Sequence, residues 1–237
     1  MKKRLQTILS HAGAASRRSA VELIESGVVK VDGRKVTERG FRADPEEQEI
    51  SVNGRKLSAE KKYYFIFNKP KNVISTAKDT HERRKVTDYF EGVKARLYPV
   101  GRLDRDTTGL LVVTNDGELA YRLMHPKFEI EKEYLVTIKP CVDNADIKKI
   151  EKGIEMDGKL TSACTIRFEE KDKISAVYRV ILHEGKKRQI RRMFEDIDAK
   201  VIKLKRVKYA GLTLKGLKSG EFRELSQKEI DRLKAKV

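Results

Sequence analysis

Three carboxylates in one short stretch are the side chains best placed to do chemistry. Asp104 and Asp106 lie in Pro99-Val100-Gly101-Arg102-Leu103-Asp104-Arg105-Asp106-Thr107-Thr108-Gly109, and Asp116 lies in the Asn115-Asp116-Gly117 turn that follows. An ionised carboxylate can attack an electrophilic carbon, accept a proton or help to ligate a metal. The pattern alone leaves all three aspartates open to these roles, and the commoner fate of a loop aspartate is to hydrogen-bond neighbouring amides. The other reactive residue types are dispersed. Cys141 and Cys164 do not form a close-spaced pair, and His11, His81, His125 and His183 are scattered. That spacing suits neither a disulfide framework nor a metal site, so no metal is expected.

The elements around these acids must hold them still. Leu110-Leu111-Val112-Val113-Thr114 reads as a strand buried on both faces. A loop bracketed by Gly101 and Gly109 and abutting such a strand is a rigid place for a reactive carboxylate. Strand runs are expected at 63–67, 110–114, 133–138 and 176–182, with helices near 118–124, 143–152 and 187–197. The fold class that follows is α+β with a largely antiparallel sheet. Asn68-Lys69-Pro70 should end the first of these strands, because proline lacks a donor. Residues 76–87 are polar and without clear periodicity, and are expected to form an exposed loop.

The front of the chain reads as a separate unit. Leu5, Ile8, Leu9 and Ala12 have helical spacing, and Gly13 closes that segment. Ser16 can cap a second helix with Ala20, Leu23 and Ile24 on one face, ending before Gly27. Val28 to Val31 then meets Asp32-Gly33, a strong signal for a tight hairpin, and Asn53-Gly54 echoes it. Ser58-Ala59-Glu60-Lys61-Lys62 is a plausible linker, which puts a domain at 1–60 and a second at 61–237.

Charge points to a polyanionic partner. Lys and Arg total 53 against 36 Asp and Glu, a formal net charge of +17, so binding to a polyanion should weaken with salt. The excess is uneven. Arg17 and Arg18 stand in the first turn of the second helix, where backbone N–H groups also favour phosphate. Residues 183–208 hold Lys186, Lys187, Arg188, Arg191, Arg192, Lys200, Lys203, Lys205, Arg206 and Lys208 against four acids. There Ile190, Met193, Phe194 and Ile197 share a helical face, so Lys187, Arg188 and Arg192 are expected to track the backbone of a polyanion. No apolar h-region follows the charged start and no stretch is long enough to span a membrane. A cytoplasmic, reducing location with no membrane partner is expected.

Several motifs together resemble the RsuA/RluB family of ribosomal RNA pseudouridine synthases. They are Gly101-Arg102-Leu103-Asp104, Thr108-Gly109-Leu110-Leu111, Thr114-Asn115-Asp116-Gly117, Asn68-Lys69-Pro70, Glu131-Lys132-Glu133-Tyr134-Leu135-Val136, and Gly185 through Phe194. Residues 2–50 resemble the small RNA-binding domain named after ribosomal small-subunit protein four. The resemblance implies that uridines of ribosomal RNA are isomerised to pseudouridine by a single chain acting as a monomer, without cofactor or metal.

The resemblance also implies roles. Asp104 matches the family's nucleophile, which either attacks the sugar or removes a sugar proton. Arg191 is implied as the guanidinium that keeps Asp104 ionised, with Arg188 and Arg192 as alternatives. Tyr134 would lie against the target base, and Arg102 would hold the flipped-out nucleotide. The His125-Pro126 step and the Glu131–Val136 block look more like the large-subunit branch than the small-subunit one. The substrate could be naked RNA or an assembling particle. Two other readings stand beside this one. A noncatalytic ribosome-associated binding protein leaves the 101–117 loop and Tyr134 without a task, and a metal-dependent nuclease rests only on the spacing of Asp104, Asp106 and Asp116.

Overall fold

A computed structural model describes residues 1–58, 60–77, 79 and 81–237. Ala59 of the expected linker, and Lys78 and Thr80 of the expected loop, lie outside the described residues. The chain divides into two compact units. One comprises residues 1–63 with 93–96 and 115–117, and the other comprises 64–92, 97–114 and 118–237.

In the first unit, helix α1 (Leu5–His11) and helix α2 (Arg17–Glu25) are joined at Gly13, whose φ of 76° suits a residue without Cβ. The Ser16 side chain accepts from the Ser19 amide at 3.0 Å and caps α2. Strands β1 (Val29–Val31) and β2 (Arg34–Lys35) meet across Asp32-Gly33, both with positive φ, the geometry a two-residue hairpin requires. β3 (Ile50–Val52) and β4 (Arg55–Lys56) repeat the device across Asn53-Gly54, giving a four-stranded sheet ordered β2-β1-β3-β4. Leu5, Leu9, Ala20 and Val29 have no exposed surface and form its core with Ile8, Ile24 and Ile50. A fully buried side chain of this size contributes about 1.5–3 kcal/mol.

The second unit is built on one nine-stranded sheet. Its strands are β5 (Tyr64–Lys69), β6 (Tyr98–Val100), β7 (Thr108–Thr114), β8 (Lys132–Lys139), β9 (Thr165–Lys171), β10 (Ala176–Leu182), β11 (Lys200–Tyr209), β12 (Leu212–Thr213) and β13 (Phe222–Glu224). The main order is β9-β10-β8-β11-β7-β5-β13, with β12 beside β11 and β6 beside β7. Pairing is antiparallel except between β7 and β11, where Thr108 faces Lys205 and Gly109 faces Arg206 in parallel. Among the described residues this seam is the sheet's one parallel contact between strands. Helices α3 (Gly117–Met124), α4 (Asn144–Glu151), α5 (Gln189–Glu195) and α6 (Gln227–Ala235) complete the fold.

The α+β expectation with a largely antiparallel sheet is met, and six of the seven residues of β7 are buried. Two expectations change. Pairing does not stop before Lys69, since Asn68 faces Leu110 and Lys69 faces Gly109, and only Pro70 ends it. The loop is shorter than expected, because Val86–Phe90 forms a 3-10 helix with Val86 and Phe90 buried. No described helix is long and apolar enough to cross a membrane.

Candidate active site

Asp104 sits on the connection from β6 to β7, and the chain around it is pinned from several sides. Gly101 takes a φ of 75°. The Leu103 amide donates to Ser75 Oγ at 3.0 Å, and that hydroxyl donates back to the Leu103 carbonyl at 2.8 Å. The Asn72 amide donates to the Arg105 carbonyl at 2.8 Å, and the Thr107 amide to the Asp104 carbonyl at 3.1 Å. Leu103 is buried beneath, so the backbone is fixed while the Asp104 side chain remains 41% exposed. A carboxylate on such a frame loses little entropy when it meets a reacting atom.

The loop opens onto a cleft of about 780 Å³ whose lining includes Arg102, Asp104, Lys132, Tyr134, Arg188 and Arg206. That volume is in the range of sites that enclose a single small ligand or nucleotide. Tyr134, 9% exposed, stands on β8 between Val180 and Arg206 of the flanking strands. Lys187 also lines the cleft.

The arginine expected against Asp104 is not the one found there. Arg188 Nη1 lies 3.9 Å from Asp104 Oδ2, whereas Arg191 Nη2 lies 2.8 Å from Asp106 Oδ2. Helix phase explains the exchange. Arg188 precedes the first turn of α5 with a φ of 53°, which leaves its side chain in the cleft wall. Arg191, inside that turn, is 7% exposed and donates through Nη1 to the Val201 carbonyl at 2.9 Å. Arg192 does not line the cleft either, because it makes two bonds of 3.0 and 3.1 Å to Asp157. Arg17 and Arg18 are exposed on α2 in the other unit. Asp116 follows β7, whose seven residues at roughly 3.3 Å each carry it far along the strand from Asp104. The three acids of the nuclease reading are thus split. No group of three or more His, Cys, Asp or Glu side chains suited to a metal occurs among the described residues.

Three basic residues of the site were not singled out from the sequence. Lys69 has no exposed surface, and its Nζ donates to the Pro70 carbonyl at 3.0 Å. Burial lowers its pKa to about 8, while Asp106 and Asp104 pull it back up. Lys132 donates to the carbonyls of Ile130 and His183 at 2.7 and 3.2 Å. Burial and then the Arg206 charge lower its pKa to about 8, against Glu184. Arg206 is 3% exposed within β11. Its signal was the inward set Val201, Leu204, Arg206 and Tyr209, whose alternation is broken by two register shifts, between Glu133 and Tyr134 and between Thr137 and Ile138, and obscured by the basic residues between them.

Comparisons with known proteins agree along the chain. A family model described as RNA pseudouridylate synthase matches residues 63–196, and an S4 domain model matches residues 3–49. Over 235 residues the chain is 47% identical to ribosomal large subunit pseudouridine synthase B of Bacillus subtilis, covering 98% of this chain and 96% of that one. The protein of the same name from Vibrio vulnificus is 35% identical over 244 residues, covering 100% of this chain and 76% of that one. A crystal structure of a pseudouridylate synthase superposes with a TM-score of 0.70 at 29% identity, covering 97% and 99% of the two chains.

Proposed function

Because the chain belongs to the RNA pseudouridylate synthase family, we propose that it isomerises uridine in large-subunit ribosomal RNA, with Asp104 acting on the ribose. The large-subunit assignment is supported by the names of the Bacillus and Vibrio relatives and by the His125-Pro126 and Glu131–Val136 blocks.

The observation that carries the assignment of Asp104 is its position. It is the one carboxylate of the 101–117 stretch that lines the cleft, and Tyr134 and Arg188 share that lining. The reaction detaches uracil N1 from ribose C1′, turns the base and rejoins it through C5. Asp104 acts as a carboxylate that attacks C1′ or takes the C2′ proton, with the Arg188 guanidinium 3.9 Å away. Tyr134 offers a ring against the base and a phenol near its C5 proton. Arg102 holds the extruded nucleotide, and Lys187 faces its phosphates. Arg191 acts one step removed: by holding Asp106 it fixes the loop that carries Asp104. Arg192, paired with Asp157, contributes less to RNA binding than Lys187, which lines the cleft. In the other unit, Arg17 and Arg18 bind phosphate beside the α2 N-terminus. Action as a monomer rests on the family resemblance alone.

Substitution Asp104→Asn tests the proposal. Conversion of uridine, followed by mass spectrometry of a large-subunit RNA fragment, should fall by more than about 10⁴-fold, with RNA affinity nearly unchanged. Pseudouridine maps of ribosomal RNA from cells with and without the gene identify the position. Normal turnover by Asp104→Asn, or a missing pseudouridine confined to small-subunit RNA, would refute the corresponding half.

A further inference from the structure

Strand register places Arg206 beside Tyr134. The two are direct partners on β11 and β8, and Gly109 of β7 is the partner of Arg206 on its other side. Opposed residues of neighbouring strands project to the same face, and both side chains line the cleft with Asp104. The Arg206 guanidinium is locked in place. Its Nε donates to the Leu110 carbonyl at 2.7 Å, and its Cζ lies 4.6 Å from the centre of the Tyr209 ring. Its Nη2 is buried and has no hydrogen-bond acceptor among the described residues. The adjacent Glu131 and Glu133 are engaged by Lys208. An N–H donor left unpaired in the interior costs stability and calls for an explanation.

The chemistry supplies an acceptor. When the C1′–N1 bond breaks, its electron pair leaves with the base and is shared by N1, O2 and O4. The sugar carbon either bonds to an Asp104 oxygen or loses its C2′ proton to that carboxylate. The pair is reclaimed when C5 bonds to C1′ and the C5 proton departs. We propose that Arg206, through Nη2, stabilises the detached uracil anion between glycosidic cleavage and C5 attack. This rests on the pseudouridine-forming reading above. A guanidinium suits the task because it stays protonated where a buried ammonium is near its titration point, as the neighbouring Lys132 illustrates. Preorganised donors facing developing charge are worth most where water is scarce.

The test compares leaving groups. Single-turnover cleavage of the C1′–N1 bond, followed as loss of the N1-linked nucleoside because a fluorinated base has no C5 proton to release, is measured for the wild-type protein and for Arg206→Met and Arg206→Lys, on RNA carrying uridine or 5-fluorouridine at the target. Fluorine stabilises the departing anion and so lessens the need for a cation. Arg206→Met should slow uridine conversion by roughly 10²–10³-fold with RNA affinity little changed, and Arg206→Lys should recover part of the rate. On 5-fluorouridine RNA the deficit of Arg206→Met should shrink by about tenfold or more. Equal slowing on both RNAs, as a packing defect gives, would overturn the proposal. So would weakened binding at an unchanged rate, as a phosphate contact gives. Should Arg206→Met fail to show cooperative thermal unfolding, Arg206→Gln and Arg206→Lys carry the same comparison. A wild-type protein that forms no pseudouridine in any ribosomal RNA would instead remove the underlying reading, and this proposal with it.

Discussion

Lys69 carries a charge with no exposed surface, near two carboxylates, and this ties stability to pH. Its pKa is near 10.5 in the unfolded chain and about 8 in the fold. Between those values the unfolded chain holds more protons, so raising the pH favours folding. Cys164 opposes this above pH 9. Burial raises its thiol from 9.0 to about 12, so the unfolded chain loses that proton first and stability falls. Between pH 8 and 9 Lys132 acts in the same direction as Lys69, and only the exposed Met1 ammonium, held above its ordinary 8.0 by Asp44, opposes them. Stability from urea unfolding should rise across that window, and Lys69→Met should remove about 1 kcal/mol of the rise. An unchanged slope in Lys69→Met would show that the lysine keeps its proton. The sequence displayed Lys69 only as part of an Asn-Lys-Pro turn. Its burial depends on strand pairing that continues to Gly109, which no local pattern reveals.

At the level of elements, the tightest contact is Gly109 against β11. A Cβ at Gly109 would stand 2.2 Å from the Arg206 carbonyl oxygen, and its φ of 104° disfavours any side chain. Gly109→Ala should cost about 3 kcal/mol or more in chemical denaturation, from backbone strain and overpacking together. A loss below 1 kcal/mol would mean that the strands separate easily there. Four strands and three helices were legible from periodicity because their apolar faces are clean, as in β10, which alternates buried and half-buried residues throughout. β11, though central, was not legible. Its lysines at 200, 203 and 205 are exposed and break the apolar pattern, so the segment read as basic surface. The site followed the same division. The loop pattern left Asp104, Asp106 and Asp116 open, and only the family resemblance singled out Asp104 and Tyr134. The exchange of Arg188 for Arg191 was not legible, because a seven-residue helix can begin one residue earlier or later without altering the sequence signal.

For the whole molecule, the net charge of +17 makes affinity for RNA depend on salt. Each phosphate contact adds roughly 0.7–0.9 to the slope of log affinity against log salt. Replacing Arg17 and Arg18 together by Glu should weaken binding and flatten that slope by about 1–2. At saturating RNA the rate of isomerisation should persist, which filter binding and single-turnover assays on the same RNA would establish. An unchanged slope would place phosphate binding elsewhere. The hairpin signals and the apolar restart at Tyr63 were readable, but not the grouping of residues 93–96 and 115–117 with 1–63. The parallel seam between β7 and β11 was not readable either, since pairing order is a property of the closed sheet. It joins two antiparallel blocks, one bearing Asp104 at its edge and the other bearing Tyr134. The width of the catalytic gap is therefore set by a ladder of two residue pairs with a glycine pressed flat against its neighbour. Such a joint has little room to stretch, so the burden of adjustment during base extrusion falls on the RNA: a uridine in a stiff, fully stacked helix should be a poor substrate, and one at a loop or bulge a good one.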